Sequence, residues 1–89
     1  MGSVKLELKR RNRDYGIITW AYSFDFEMRT FLENKPTVTI EFNGRVYSDR
    51  KVDYKYRRLP FGKKRMENFK DKKYIVLTKR KGRLVVSGE

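Results

Sequence analysis

The chain contains no cysteine and no histidine. Lack of cysteine excludes disulfides, thiolate nucleophiles and sulfur-ligated zinc. Lack of histidine removes the commonest general base and metal ligand at neutral pH. No apolar run approaches the ~18 residues of a membrane-spanning helix. Val4 to Arg13 alternates and is charged, unlike the apolar middle of a signal peptide. The patterns GxxxxGK[ST], GxGxxG and HExxH are missing too. These absences predict a cytoplasmic protein with no metal, no cofactor and no membrane. Met1-Gly2-Ser3 reads as either native sequence or a disordered cloning remnant.

The 89 residues suffice for one domain and not for two cores, so 1–89 is read as a single unit. Hydrophobic and charged residues each make up 38%, a balance that leaves globule and disordered polyelectrolyte both open. The 15% aromatic content decides for the globule, because disordered chains are poor in rings. A core this small predicts modest stability.

Charge is abundant and uneven. The net charge is +12; residues 1–34 hold six Lys/Arg against five Asp/Glu, and residues 35–89 hold the other seventeen against six. A like-charged half opposes its own compaction, and neutralising phosphates is the usual reason to keep one. The densest stretch, Arg45 to Arg65, sets nine Lys/Arg and two Asp among Tyr47, Tyr54, Tyr56 and Phe61.

The pattern along the chain predicts mainly strands. Val4 to Lys9 alternates with Val4, Leu6 and Leu8 inward. Arg10 to Asp14 reads as a hairpin loop, and Tyr15 to Tyr22 as a strand, with Gly16 marking a bulge or close backbone approach. Phe24, Met28, Phe31 and Leu32 share one helical stripe, so residues 24–34 form an amphipathic helix lying over Trp20. Ser23 or Asp25 is its cap, and Asn34 its stop. Thr37 to Phe42 is a strand with Val38, Ile40 and Phe42 inward, turned by Asn43-Gly44. A two-residue turn pairs Ile40 with Tyr47 and leaves Val46 outside; a bulged loop puts Val46 inside, which the hydrophobic pattern slightly favours. Arg45 to Leu59 continues as strand with Tyr54, Tyr56 and Arg58 on one face, and Pro60 ends it. Phe61 to Arg65 is a basic loop, and Phe69 anchors the connection after it. Tyr74 to Thr78 and Arg83 to Ser87 form a hairpin around Lys79 to Gly82.

The fold class is therefore α+β, mainly β. About six short strands curl into a strongly bent sheet or a barrel of SH3-like or OB-like size, with the helix between strands 2 and 3. An open sheet backed by the helix is the second choice.

Three basic clusters carry the functional reading: Lys9 to Arg13, Lys51 to Arg65 and Lys79 to Arg83. If the first and last loops project from the same end, they flank the central cluster and outline a groove. The candidate nucleic-acid contacts are Arg10, Arg11, Lys51, Tyr54, Lys55, Tyr56, Arg57, Arg58, Lys63, Lys64, Arg65, Arg80, Lys81 and Arg83. Lys and Arg hold phosphates, and arginines on a strand suit bidentate contacts. Tyr54 and Tyr56 either stack bases or pack in the core, whereas Trp20 is core. The predicted helix carries Asp25, Glu27 and Glu33 against Arg29, which argues against a recognition helix in a duplex groove. Single strands or RNA fit a tyrosine-bearing β-surface better. Two rivals remain: a histidine-free ribonuclease using Tyr, Lys and Arg, and a basic module docking on an acidic protein. Glu41, Asp49 and Asp53 are read as surface ion-pair partners of the nearby cations.

Overall fold

The computed structural model describes residues 2–89. Its main sheet has the strand order β1 (Ser3–Glu7), β6 (Tyr74–Arg80), β7 (Arg83–Gly88), β3 (Thr37–Phe42), β4 (Arg45–Lys51). All neighbours are antiparallel except β3 and β7, which run parallel through Ile40 opposite Leu84 and Glu41 opposite Val85. A second, two-stranded sheet pairs β2 (Ile17–Thr19) with β5 (Arg58–Pro60). Since β1 and β4 are opposite edges, the sheet does not close, and the expected barrel gives way to the open, helix-backed sheet. Met1 lies outside the described residues. Ser3 opens β1, and the Gly2 carbonyl accepts Lys79 N–H at 2.7 Å.

Alternation in β1, β3, β6 and β7 sends Leu6, Ile40, Phe42, Ile75, Leu77, Leu84 and Val86 to one buried face. The small sheet adds Ile18 opposite Leu59, at 1% and 0% exposure. Burial on this scale stabilises by about 1.5–3 kcal/mol per large aliphatic side chain. Phe42, Phe61 and Phe69 meet with centroids 5.2–5.8 Å apart and close the far end of the core. Phe61 is thus core, with the Arg65 guanidinium 5.9 Å from its ring, and Phe69 is the anchor the sequence suggests.

Three short helices cover the sheet: α1 (Arg10–Tyr15), α2 (Asp25–Phe31, preceded by a 3₁₀ turn at Tyr22–Phe24) and α3 (Lys63–Met66, followed by one at Glu67–Phe69). Met28 and Phe31 of α2 and Leu32 at its C-cap are buried as their spacing predicts, with Phe24 half-buried beside them. Phe24 occupies the N-cap without a side-chain bond, so neither Ser23 nor Asp25 caps the helix. Glu33 and Asn34 stop it in the left-handed region, where Asn34 N–H reaches Arg29 O at 3.0 Å.

The predicted hairpin loop at Arg10–Asp14 is instead α1. It has no apolar stripe; buried Asn12 makes it. The Asn12 side chain accepts Lys9 N–H at 2.7 Å and donates to Ile17 O and Thr19 Oγ1, both at 2.9 Å. Gly16 then ends the helix at φ 64°. The close approach expected at Gly16 is present, since a Cβ there would lie 2.2 Å from Lys63 N.

At Asn43-Gly44 both residues have positive φ, and Ile40 pairs with Tyr47. The two-residue turn is therefore correct and the favoured bulged loop is not, because Val46 faces solvent at 44% exposure. The irregularity lies further along, where Ser48 and Asp49 (φ 54°) both oppose Thr39.

Candidate nucleic-acid interface

The predicted strand from Asp53 to Leu59 is broken by a tight loop. Asp53 and Arg58 exchange both backbone hydrogen bonds at 2.9 Å, and Asp53 Oδ1 accepts Tyr56 N–H at 3.0 Å. Arg57 takes φ 54° to close the turn. An Asp side chain that bonds the backbone favours a turn over a ladder. The alternation of Tyr54, Tyr56 and Arg58 therefore places no common face.

Tyr54 folds inward, edge-on to Trp20 with centroids 6.5 Å apart, and donates its hydroxyl to Lys35 O at 2.6 Å. Burial raises its pKa, an effect that the nearby Arg29 charge partly offsets. Tyr56 turns outward at 55% exposure. The Arg58 guanidinium lies 5.0 Å from the Tyr56 ring, and that of Arg57 lies 5.6 Å from the Tyr22 ring.

Tyr22, Tyr56, Arg57 and Arg58, but not Tyr54, form one wall of a groove of about 580 Å³. The opposite wall comes from Lys5, Leu6 and Glu7 of β1, with Lys9 and Arg11 at the start of α1. Trp20 and Phe24 line its depth. A neighbouring hollow that shares Arg11 and Arg58 is lined by Tyr15 and Ile17. Tyr15 and Tyr22 are 70% and 78% exposed; Tyr22 and Tyr56 border the groove itself, and Tyr15 the hollow beside it.

The charges inside it are unusually free. Lys5 is held by Glu89 at 2.7 Å, which raises the lysine pKa through its hydrogen bond and its charge. Among the described residues no carboxylate pairs with Lys9, Arg11, Arg57 or Arg58, and Glu7 is the one acid in the lining. Four cations without an ion-pair partner around a concave surface concentrate positive potential there, although the Arg57 charge also acts on the Asp25 carboxylate.

The third cluster lies elsewhere. β1 runs antiparallel to β6 with Glu7 opposite Tyr74, so α1 follows one end of the sheet. The Lys81-Gly82 turn leaves β6 at the other end. The two loops therefore do not flank the central cluster together. At that far end Lys79 pairs with Glu33 at 3.2 Å and Arg83 with Glu41 at 3.1 Å, and among the described residues no carboxylate pairs with Arg80 or Lys81, which lie beside a smaller hollow of about 360 Å³. The ion pair expected of Glu41 is present; among the described residues Asp49 and Asp53 form none.

Of the remaining candidates, Arg10 pairs loosely with Asp14 at 3.6 Å. Lys51 is exposed at the end of β4, and Lys55 lies 5.5 Å from the Tyr56 ring. Lys63 and Lys64 stand exposed on α3, outside the groove lining. Arg65 serves the fold: it donates to Phe61 O at 2.6 Å and stacks 4.1 Å from the Tyr47 ring. Lys5, Tyr15 and Tyr22 were not foreseen. Nothing local marks them, because β1 and the chain after Trp20 meet Arg57 and Arg58 only through the tertiary fold.

Among the described residues no helix is long and apolar enough to cross a membrane. No protein-family model, curated protein or solved structure matches the chain.

Proposed function

We propose that this protein binds nucleic acid in single-stranded form, DNA or RNA, through the groove between β1 and the Asp53–Arg58 loop. The observation that carries the reading is the set Lys9, Arg11, Arg57 and Arg58, all without carboxylate partners and bordered by the exposed rings of Tyr22 and Tyr56. Such cations neutralise phosphates, and such rings stack bases without regard to sequence. The acidic α2 stays out of the interface, in keeping with a site that is not a recognition helix.

The test is a titration of the protein against a labelled single strand and its duplex at two salt concentrations. Arg57→Glu with Arg58→Glu is expected to abolish binding while the chain stays folded, because Arg57 on the loop and Arg58 at the start of β5 make no ion pair among the described residues. Unchanged affinity in that double variant overturns the reading.

A further inference from the structure

The β1–β6 ladder fixes the direction of every peptide in β1. Leu8 N–H donates to Lys73 O at 2.8 Å and Lys79 N–H to Gly2 O at 2.7 Å, with Val4 opposite Leu77 and Leu6 opposite Ile75. Antiparallel strands bond to a given neighbour at every second residue. Gly2, Val4, Leu6 and Leu8 therefore bond to β6, and Ser3, Lys5 and Glu7 turn N–H and C=O off the edge of the sheet. No strand covers that edge, since β1 is the outermost member. The same strand is a wall of the groove through Lys5, Leu6 and Glu7.

We propose that the open edge of β1, centred on the Lys5 N–H and C=O, hydrogen-bonds the exposed edges of unpaired bases held in the groove. This rests on the functional reading above and adds the element that selects single strands. Each base offers neighbouring donor and acceptor groups on the edge it uses for pairing. In a duplex those groups are occupied, so only an unpaired base can present them to a peptide. The strand holds its donor and acceptor fixed by β6, and they lose no rotamer freedom on binding. Phosphates have Lys9 and Arg11 beside this edge and Arg57 and Arg58 across from it; Tyr22 and Tyr56 supply stacking surfaces. An added peptide strand would also satisfy the edge. The four free cations call for a polyanion, however, and the flanking rings suit planar bases better than acidic side chains.

Lys5→Pro tests this against Lys5→Ala. Both lose the ammonium and its pairing with Glu89, but only proline removes the outward N–H. Ladder bonds at Val4 and Leu6 are untouched, and Val4 is already extended, as a residue before proline should be. Lys5→Pro is expected to bind a mixed-sequence single-stranded 12-mer about tenfold more weakly than Lys5→Ala. The duplex should not distinguish them. Should Lys5→Pro fail to fold, Glu7→Pro against Glu7→Ala makes the same comparison at the next outward peptide. Equal affinity of the proline and alanine variants for the single strand overturns the edge contact. If Arg57→Glu/Arg58→Glu still abolishes binding, the functional reading survives that result. A wild-type chain that binds neither strand form overturns both. Loss of a poly-glutamate peptide on Lys5→Pro, with oligonucleotide binding intact, assigns the edge to a peptide and also overturns the proposal.

Discussion

The indole N–H of Trp20 donates to Asp25 Oδ1 at 2.9 Å, while Asp25 Oδ2 accepts from Arg29 Nε at 2.8 Å. One carboxylate thus ties the depth of the groove to the first turn of α2. The Trp20 hydrogen bond, and then that from Arg29, lowers the Asp25 pKa. Glu33 is lowered in the same direction by its hydrogen bond from Lys79 and by the charge of Lys35. A depressed folded-state pKa gives stability that is present above the unfolded value, about 3.9 for Asp, and is lost as pH falls through the folded value. The thermal midpoint should therefore decline below about pH 4. Trp20 is the only tryptophan, so its emission should change over the same interval, and Asp25→Asn should flatten both curves. Acid melting identical in wild type and Asp25→Asn would show that this pair contributes nothing.

Gly16 and Lys63 provide a second, sharper constraint. Gly16 combines φ 64° with backbone of Gly62 and Lys63 within 2.5 Å of where a Cβ would sit, and its carbonyl accepts from both Phe61 and Gly62 N–H. Alanine would incur the left-handed penalty of about 1–2 kcal/mol and would also push α1 from α3. A loss of about 2–4 kcal/mol in urea unfolding is expected for Gly16→Ala. Gly44→Ala serves as the comparison, because a Cβ there meets nothing and only the φ cost applies.

These positions also show where sequence reading succeeds and where it stops. Alternation and the i, i+4, i+7 spacing report burial, so Leu6, Ile40, Phe42, Met28 and Phe31 were legible. The Asn43-Gly44 turn was legible for the same local reason. α1 was not, since Arg10–Tyr15 carries no periodic apolar signal and its stability comes from one buried amide. In Asp53–Leu59 alternation was misleading: the Asp53 side chain bonds Tyr56 N–H and turns the chain before a ladder can form. The groove pairs residues about fifty positions apart, such as Lys5 with Arg57. Charge density pointed to Arg57 and Arg58, and topology alone supplied the facing wall.

Asn12→Ala measures how far α1 depends on that amide. The substitution leaves Lys9 N–H, Ile17 O and Thr19 Oγ1 without their partner in a site where Asn12 is 2% exposed. Each buried polar group left unsatisfied costs about 1–3 kcal/mol, and relaxation toward water reduces the sum. A net loss of about 2–3 kcal/mol is expected by denaturant unfolding. Because Arg11 sits in the same helix, affinity for a single strand should drop too. Full retention of stability would mean that tertiary packing alone holds α1.

Tyr22→Ala separates stacking from charge. The ring is 78% exposed and its substitution leaves the core intact, so the melting curve should not move. Base–aromatic stacking contributes about 1–3 kcal/mol per base, hence roughly a tenfold loss or more on a single strand. Tyr22→Phe should bind as wild type, since stacking needs the ring and not the hydroxyl. An affinity untouched by Tyr22→Ala would restrict the groove to phosphate contacts.

Salt dependence then locates the charges that count. For a single strand, log K falls against log salt with a slope of about −0.7 per phosphate neutralised. Four contacts, from Lys9, Arg11, Arg57 and Arg58, give a slope of about −3 and a loss of about fiftyfold between 50 and 200 mM salt. Removing Arg57 and Arg58 as alanines should flatten the slope by about 1.4, because two phosphates keep their counterions. Removing Arg80 and Lys81 changes the net charge equally but acts at the far end of the sheet, where Glu33 and Glu41 already neutralise Lys79 and Arg83. That pair should leave the slope within about 0.3 of wild type. Equal flattening by both pairs would mean that the strand responds to overall charge, and the groove would lose its claim to be the site.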